Sequence, residues 1–277
     1  MNNSKAILWA LLGGGFSAFL SACVDRPPVT PSGQPPEIHA AVAANLCSPA
    51  KAQYQSYYNE ELDKRGLEEL ATLAADGNTD AMVLLGMRYT PGYKRPAGLA
   101  GDAPGNAKEY VPPQADMEKS LGLFQAAAEK QSSHAEFLVG VAYINGQGAP
   151  KDEAKALDWF RRAATHGSAH GQFWTGEMIA KGRGGAGEDW KSALPFFAKA
   201  ADGGSAEAFV ELGYAYYYGL GGLDKDDQKS GFCARQGVKL KSQIAQFSLL
   251  SLLQEGVIAR EEGDPEIRPA PPGAPDK

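Results

Sequence analysis

The chain has fewer basic than acidic residues, no long apolar run and few cysteine or histidine residues. Its formal net charge is −6 over 277 residues, with Lys and Arg scattered along it. A mildly acidic chain is a poor electrostatic match for phosphate backbones, which excludes nucleic-acid binding. The apolar run from Ala6 to Leu20 is shorter than the ~20 residues that an ordinary membrane-spanning helix needs. With three cysteines and four histidines, the sequence shows no cluster typical of a metal site, and we expect no cofactor.

The N-terminus has the pattern of a secretory signal. Lys5 precedes the apolar run, and small residues follow it. The stretch Leu20-Ser21-Ala22-Cys23 resembles the lipobox of bacterial lipoproteins. That resemblance implies removal of residues 1–22 and attachment of lipid to Cys23; an ordinary signal peptide with an incidental cysteine is the alternative. In enterobacterial lipoproteins an Asp after the lipidated cysteine signals inner-membrane retention. Val24 stands there, which favours the periplasmic face of the outer membrane over the inner membrane.

Proline-rich segments flank the central body. Residues 23–43 contain five prolines between Val24 and Glu37 and show no apolar periodicity, which predicts an extended tether. Residues 261–277 contain another five prolines and are predicted to be a disordered tail. The roughly 220 residues between them are enough for a substantial core.

The body is built from an internal repeat. Successive copies open at Ala81, Ala135, Gly171 and Ala208, and these starts lie 54, 36 and 37 residues apart. The long first step indicates an insertion, which we assign to 91–114. Two further sets of residues fall at fixed offsets: the glycines Gly86, Gly140, Gly176 and Gly213, and the aspartates Asp116, Asp152, Asp189 and Asp226.

Each copy predicts two antiparallel helices. Ala135, Leu138, Val139 and Ala142 have the spacing of one buried helical face, and a second such face follows Asp152. The aspartates are predicted helix N-caps, since a carboxylate there accepts from free backbone N–H groups. A mid-helix glycine costs about 1 kcal/mol relative to alanine, so its recurrence indicates close approach of a neighbouring helix.

The combined pattern, A-x-x-x-x-G-x-x-Y-x-x-G-x-G and then D-x-x-K-A-x-x-W/F-F-x-x-A-A, resembles the Sel1-like repeat, a relative of the tetratricopeptide repeat. The resemblance implies an all-α, right-handed solenoid of about four repeats over 77–241. We expect capping helices at 44–76, where Ser48-Pro49 is a predicted helix start, and at 242–260. The family generally serves as protein–protein adaptors, so the resemblance implies a non-enzymatic role.

Three motifs resemble enzyme or metal sites, and we interpret all three structurally. Ser48-Pro-Ala-Lys51 matches S-x-x-K, but the K-T-G that accompanies it in serine acyl-transferring enzymes is missing. The glycines from Gly182 to Gly187 match G-x-G-x-x-G but follow a predicted helix rather than a strand. His166 and His170 stand four apart, yet Gly167 and Ser168 interrupt the helix between them.

Cys47 and Cys233 are the cysteines that remain after lipidation of Cys23. An exported protein can form disulfides, but a bridge needs a Cα separation below about 7 Å. We expect the two to lie near opposite ends of the stack, too far apart to pair unless the solenoid curls or Cys47 moves.

Three groups of residues are candidates for partner binding. The insertion carries the first, Trp190 beside the predicted N-cap Asp189 is the second, and two tyrosines after Tyr216 are the third, whereas Tyr216 itself is predicted to be core. Aromatic side chains are frequent anchors of protein interfaces. For each group a purely structural role is the alternative. The candidates are Tyr93, Lys94, Arg95, Tyr110, Trp190, Tyr217 and Tyr218.

We therefore expect a lipid-anchored periplasmic scaffold that binds another envelope protein. Peptidoglycan binding or hydrolysis is an alternative, but it needs a cleft with placed carboxylates or an activated serine, and the aspartates in register are predicted N-caps. A second alternative is an inhibitor or immunity-type binder of a secreted enzyme, which would bind one soluble partner tightly.

Overall fold

The computed structural model describes residues 46–47, 49, 60–63, 65–90 and 114–265, and the regular structure in these ranges is all helical. Each long helix packs chiefly on the helices before and after it in the sequence. This serial packing is that of an all-α repeat solenoid. The α-helices of the described residues are α1 (Glu60–Asp63), α2 (Leu67–Ala75), α3 (Thr79–Arg88), α4 (Gln114–Glu129), α5 (Ser133–Asn145), α6 (Glu153–Thr165), α7 (Ala169–Ala180), α8 (Trp190–Asp202), α9 (Ala206–Tyr218), α10 (Asp227–Lys239) and α11 (Gln243–Gln254).

Two kinds of helix alternate through the array. We call α3, α5, α7 and α9 the first helices of units one to four, and α4, α6, α8 and α10 their second helices. Helix α11 repeats the first-helix position after unit four. The carboxylates of Asp152, Asp189 and Asp226 cap α6, α8 and α10 by accepting a hydrogen bond from the amide three residues on. The amide of Lys155 thereby lowers the pKa of Asp152 below its ordinary value.

Asp116 does not have the N-cap role that its register predicts. Helix α4 begins at Gln114, so Asp116 lies inside its first turn. The carboxylate still sits where the helix dipole favours negative charge. The aspartate therefore keeps its place in the repeat, while the helix starts three residues earlier than in the other units.

The first helices carry their own recurrent cap, which the sequence analysis missed. A short polar side chain precedes each of them and accepts a hydrogen bond from the backbone N–H three residues later. The signal was available, because these residues stand at a fixed offset before the glycine or alanine that opens each unit. The caps are Asn78, Ser132, Ser168, Ser205 and Ser242.

The recurrent mid-helix glycines make room for a phenylalanine ring of the second helix. A Cβ added to the glycine of units one to three would lie only 2.5 to 2.9 Å from the nearest ring carbon. The close approach that the sequence predicted is thus made by a side chain. The pairs are Gly86 with Phe124, Gly140 with Phe160, and Gly176 with Phe197.

Unit four differs at this contact. Ala234 stands where the other units have phenylalanine, and a Cβ on Gly213 would meet the Cβ of the adjacent Cys233 at 3.5 Å and the Ser230 carbonyl oxygen at 3.3 Å. Cys233 is fully buried. The space that a ring would fill is therefore available to another part of the chain.

The structure contradicts our expectation about the cysteines, because Cys47 and Cys233 form a disulfide with a Cα–Cα distance of 5.5 Å. The expectation was wrong because it placed residue 47 at the first end of the array, beside the capping helices. Leu46 instead lies in the core formed by α7 to α10, with 2 % of its surface exposed. The N-terminal segment thus reaches the last unit, 186 residues away in sequence.

The C-terminal capping helix ends earlier than predicted, at Gln254, and the chain continues as a turn that packs on α10. The prediction that disorder begins at Glu261 is wrong for the first residues of that segment. Arg235 binds both carboxylate oxygens of Asp264, at 2.9 and 2.8 Å. These bonds lower the pKa of Asp264, and its side chain is only 4 % exposed.

Several predicted features lie outside the described residues. They are the signal segment with Cys23, the whole of the tether, Ser48 and Lys51, residues 91–113 of the insertion, and the tail after Pro265.

Candidate recognition surface

Three of the predicted binding residues come together where unit three meets unit four. Trp190 opens α8, and its ring centroid lies 5.8 Å from that of Tyr214 on α9. Tyr214 lies 4.5 Å from Tyr218, which meets Tyr217 edge-on at 4.8 Å. We call Trp190, Tyr214, Tyr217 and Tyr218 the aromatic cluster. The remaining predicted residues, Tyr93, Lys94, Arg95 and Tyr110, lie outside the described part of the chain.

Helical spacing explains how α9 presents this cluster. Tyr214 and Tyr218 are four residues apart and therefore share a face. Tyr216 points to the opposite side and is 3 % exposed, which agrees with its prediction as a core residue. Tyr218 is 54 % exposed, whereas Trp190 and Tyr217 are half-buried. Tyr214 was not among the predicted binding residues, although its four-residue spacing from Tyr218 was a usable signal.

The cluster has polar as well as apolar character. The ammonium of Lys225 lies 5.1 Å from the centroid of the Tyr217 ring, within the range of a cation–π contact. Partial burial raises the pKa of the Tyr218 hydroxyl, and the nearby Tyr217 and Glu255 add to the rise. The Tyr218 hydroxyl therefore stays protonated through neutral pH and is available to donate a hydrogen bond.

A groove of about 220 Å³ lies beside the cluster, between α9, α10 and α11. Phe209 and Leu252 supply apolar lining, and Ser248 and Ser251 supply hydroxyls. Glu255 is the one charged residue among those that line the groove, and it accepts a hydrogen bond from Ser251 at 3.1 Å. The volume is below the roughly 300 Å³ at which small-molecule pockets begin, so the groove suits side chains of a polypeptide.

The histidines that resemble a metal pair have separate partners. His166 ends α6 and lies 2.7 Å from the buried carboxylate of Glu136, which also pairs with Arg162 at 3.1 Å. His170 stacks on Phe137, with ring centroids 4.8 Å apart. Across the described residues, no group of three or more His, Cys, Asp or Glu side chains is arranged to hold a metal ion.

The glycine-rich loop before α8 has a packing role. It follows α7 and not a strand. A Cβ on Gly184 would lie 2.6 Å from the carbonyl oxygen of Glu153, and Gly148 and Gly221 make similarly close approaches to the preceding second helix. These glycines have positive φ, which alanine rarely adopts. The loop thus lets each unit sit against the one before it.

Within the described ranges, none of the helices has the length and apolar character that crossing a bilayer requires.

Comparisons with known proteins agree with this architecture. The model of the Sel1 repeat family matches residues 99–132, 133–168, 169–205 and 206–241, just over half of the chain. A Sel1 repeat protein from Oxalobacter formigenes is 25 % identical, with a TM-score of 0.57, over 70 % of this chain and 71 % of that one. A protective antigen of uropathogenic Escherichia coli strains with an SLR fold is 24 % identical, with a TM-score of 0.48, over 69 % of this chain and 44 % of its own. A search of curated proteins gives no match.

Proposed function

Because the chain belongs to the Sel1 repeat family, we propose that it is a lipid-anchored, non-catalytic scaffold on the periplasmic face of the outer membrane. Sel1 repeat proteins generally mediate protein–protein interactions. In the proposal, acyl chains on Cys23 fix the location, and the proline-rich tether sets the reach. The repeat array then presents an extended surface to another envelope protein.

The aromatic cluster is the observation that carries the proposal. A rigid helix holds Tyr218 more than half exposed, in contact with Tyr214 and Tyr217. Large aromatic side chains lose little conformational entropy when they bind and often dominate interface energies. The cluster also adjoins a groove, which gives a partner side chain somewhere to insert.

The disulfide supports an exported location. Disulfides such as Cys47–Cys233 persist in oxidising compartments such as the periplasm and are rare in the cytosol. This agrees with the signal and lipobox pattern that ends at Cys23.

The binding proposal is tested by crosslinking and pull-down from native envelopes, followed by reconstitution with purified protein. We expect a discrete partner that Y217A/Y218A loses, because the substitutions remove the exposed rings. Phe232→Ala is the matched control, since Phe232 is an exposed aromatic of α10 that does not line the groove. Equal recovery by all variants would refute the cluster as the binding surface. Retention of muropeptides without a protein partner would favour the peptidoglycan alternative.

The anchoring proposal is tested separately with Cys23→Ser. We expect loss of lipid labelling and release from the membrane fraction. Membrane retention equal to that of the wild type would refute the lipoprotein assignment while leaving the binding proposal intact.

A further inference from the structure

We propose that the groove between α9, α10 and α11 binds an extended proline-rich segment, and that its occupant is the chain's own C-terminal tail, residues 266–277. The inference deepens and partly rests on the proposed function, because the groove shares Tyr217 and Tyr218 with the proposed partner surface. Contact between tail and groove is nevertheless a property of the isolated chain, so it is testable without any partner.

The chemistry of the groove fits a polyproline II segment. Such a segment has no internal hydrogen bonds, so its carbonyl groups are free to accept them, and its proline rings present flat apolar faces. Aromatic-lined grooves recognise these segments in several unrelated domains. Here Tyr214, Tyr217 and Tyr218 provide the aromatic walls, while Ser248 and Ser251 add hydroxyl groups.

The last described residues pack on α10, one of the three helices that form the groove. After α11 the chain runs along α10, where Ile258 covers Gly231 and Asp264 binds Arg235. Ser230 and Ala234, the sequence neighbours of those α10 residues, line the groove. Arg235 also binds the Ala259 carbonyl at 2.9 Å and the carboxylate of Glu261 at 2.9 Å, which secures the segment leading to the tail.

The remaining segment has suitable length, composition and charge. Four of its twelve residues are proline, at 269, 271, 272 and 275. At about 3.1 Å per residue an extended segment of this length reaches roughly 37 Å, well beyond the width of one helix. Arg268 precedes the prolines, and Glu255 places a carboxylate at the groove. Arg268 and Glu255 carry opposite charges and the other lining residues are neutral, while the acidic residues of the segment, Glu266 and Asp276, lie near its two ends.

Occupancy by the tail would make the site self-regulated. The short connection gives the tail a local concentration on the order of millimolar. A partner that uses Tyr217 and Tyr218 must displace the tail, so removal of the tail should strengthen partner binding.

The test uses the unlipidated Cys23→Ser protein labelled with 3-fluorotyrosine, with the resonances of Tyr214, Tyr217 and Tyr218 assigned by single Tyr→Phe substitutions. Truncation after Pro265 preserves the Arg235–Asp264 contact and should move these resonances. P269A/P271A/P272A in the full chain should move them in the same direction. A peptide of residues 266–277 should restore them in the truncated protein and bind it about tenfold or more tightly than the full chain. Tyr89 and Tyr143, which lie outside the groove, are the internal controls and should not respond.

Three results would overturn the inference. Unchanged tyrosine resonances after truncation would show that the tail does not occupy the groove. A response to truncation but not to the proline substitutions would show that proline is not what is recognised. Resonances that change on dilution would identify the tail of a second copy as the occupant. Melting curves of every variant establish that a change in resonance is not a loss of folding.

Discussion

Units one to three and unit four differ in what packs against the mid-helix glycine of the first helix. In the first three, a phenylalanine ring of the second helix covers the mid-helix glycine of the first. In unit four the equivalent residue is Ala234, while the adjacent Cys233 is bonded to Cys47, and Leu46 is buried in the same core as Cys233. The second helix thus contributes a packed ring at this contact in three units and carries a covalent bond to a distant segment in the fourth.

The difference shows how a repeat array can acquire a long-range contact without losing its register. Replacing a large ring by the alanine at position 234 removes apolar volume from the core. The incoming Leu46 supplies apolar surface in the same region, where it packs in the core with Phe197 and Phe209. Where the sequence departs from the repeat pattern, at Cys233 and Ala234, the core therefore accommodates a segment that is distant in sequence.

Reduction of the disulfide should have the largest effect on this comparison. Opening a loop of 186 residues should lower the free energy of unfolding by about 2–5 kcal/mol, through greater entropy of the unfolded chain. Urea unfolding with and without reductant measures the loss, and C47A/C233A is the control because reductant should not affect it. Hydrogen exchange should rise more in α10 than in α5. An unchanged unfolding midpoint on reduction would contradict the prediction.

Lowering the pH should reduce the stability of the protein through His134 in unit two, and unit four has no histidine at the equivalent position. Burial lowers the pKa of His134 to about 4, opposed in part by the charge of Asp80, while the unfolded side chain titrates near 6.5. The unfolded state therefore binds more protons between these values, and stability falls as pH drops from 6.5 to 4, by at most about 3 kcal/mol. Unit four has Glu207 at the equivalent position. Urea unfolding at several pH values checks the slope, which His134→Gln should flatten; an identical slope in that variant would exclude His134 as the cause.

The glycines give the most direct test of the packing difference. In Gly140→Ala the new Cβ would lie 2.5 Å from the fully buried Phe160 ring, which should cost about 1–3 kcal/mol of stability. In Gly213→Ala the nearest atom is 3.3 Å away, and alanine is favoured in helices by about 1 kcal/mol, so stability should be unchanged or slightly higher. Thermal or urea unfolding measures both. Equal losses in the two variants would refute the account of the two packing modes.

The smallest expected effect concerns the turns between units. Gln131 has a positive φ of 63°, whereas Gly167 and Gly204 occupy the equivalent turns with φ of 86° and 87°. A non-glycine residue pays about 1–2 kcal/mol for this conformation, and the greater freedom of unfolded glycine offsets part of it. Gln131→Gly should therefore stabilise the protein by about 0.5 kcal/mol, and the converse Gly167→Gln should destabilise it. A loss of stability in Gln131→Gly would show that the glutamine side chain makes a contact whose stabilisation exceeds the cost of the positive-φ backbone.

The sequence predicted features that depend on local spacing. The recurrence of Gly140 and Asp152 identified the helix pairs and the repeat family, and the run of aromatic residues around Tyr216 predicted exposed rings, of which Tyr218 is 54 % exposed. Local spacing carried no information about the path of Leu46, because nothing near Cys47 indicates which unit it reaches. The groove could not be predicted from the sequence either, because α9, α10 and α11 form it together and their relative positions determine its shape. Asp264 lies in a proline-rich segment, and its partner Arg235 is 29 residues away.

The disulfide also determines how the molecule transmits mechanical load. A pulling force applied on the N-terminal side of Leu46 enters α10 through the Cys47–Cys233 bond. The disulfide bypasses the helices that lie between the two cysteines in sequence. These helices therefore carry none of the tension that is transmitted towards the C-terminus. With the bond intact, stretching the chain from its ends can extend only the terminal segments and the short helical region after Cys233, so the greater part of the array keeps its surface under load.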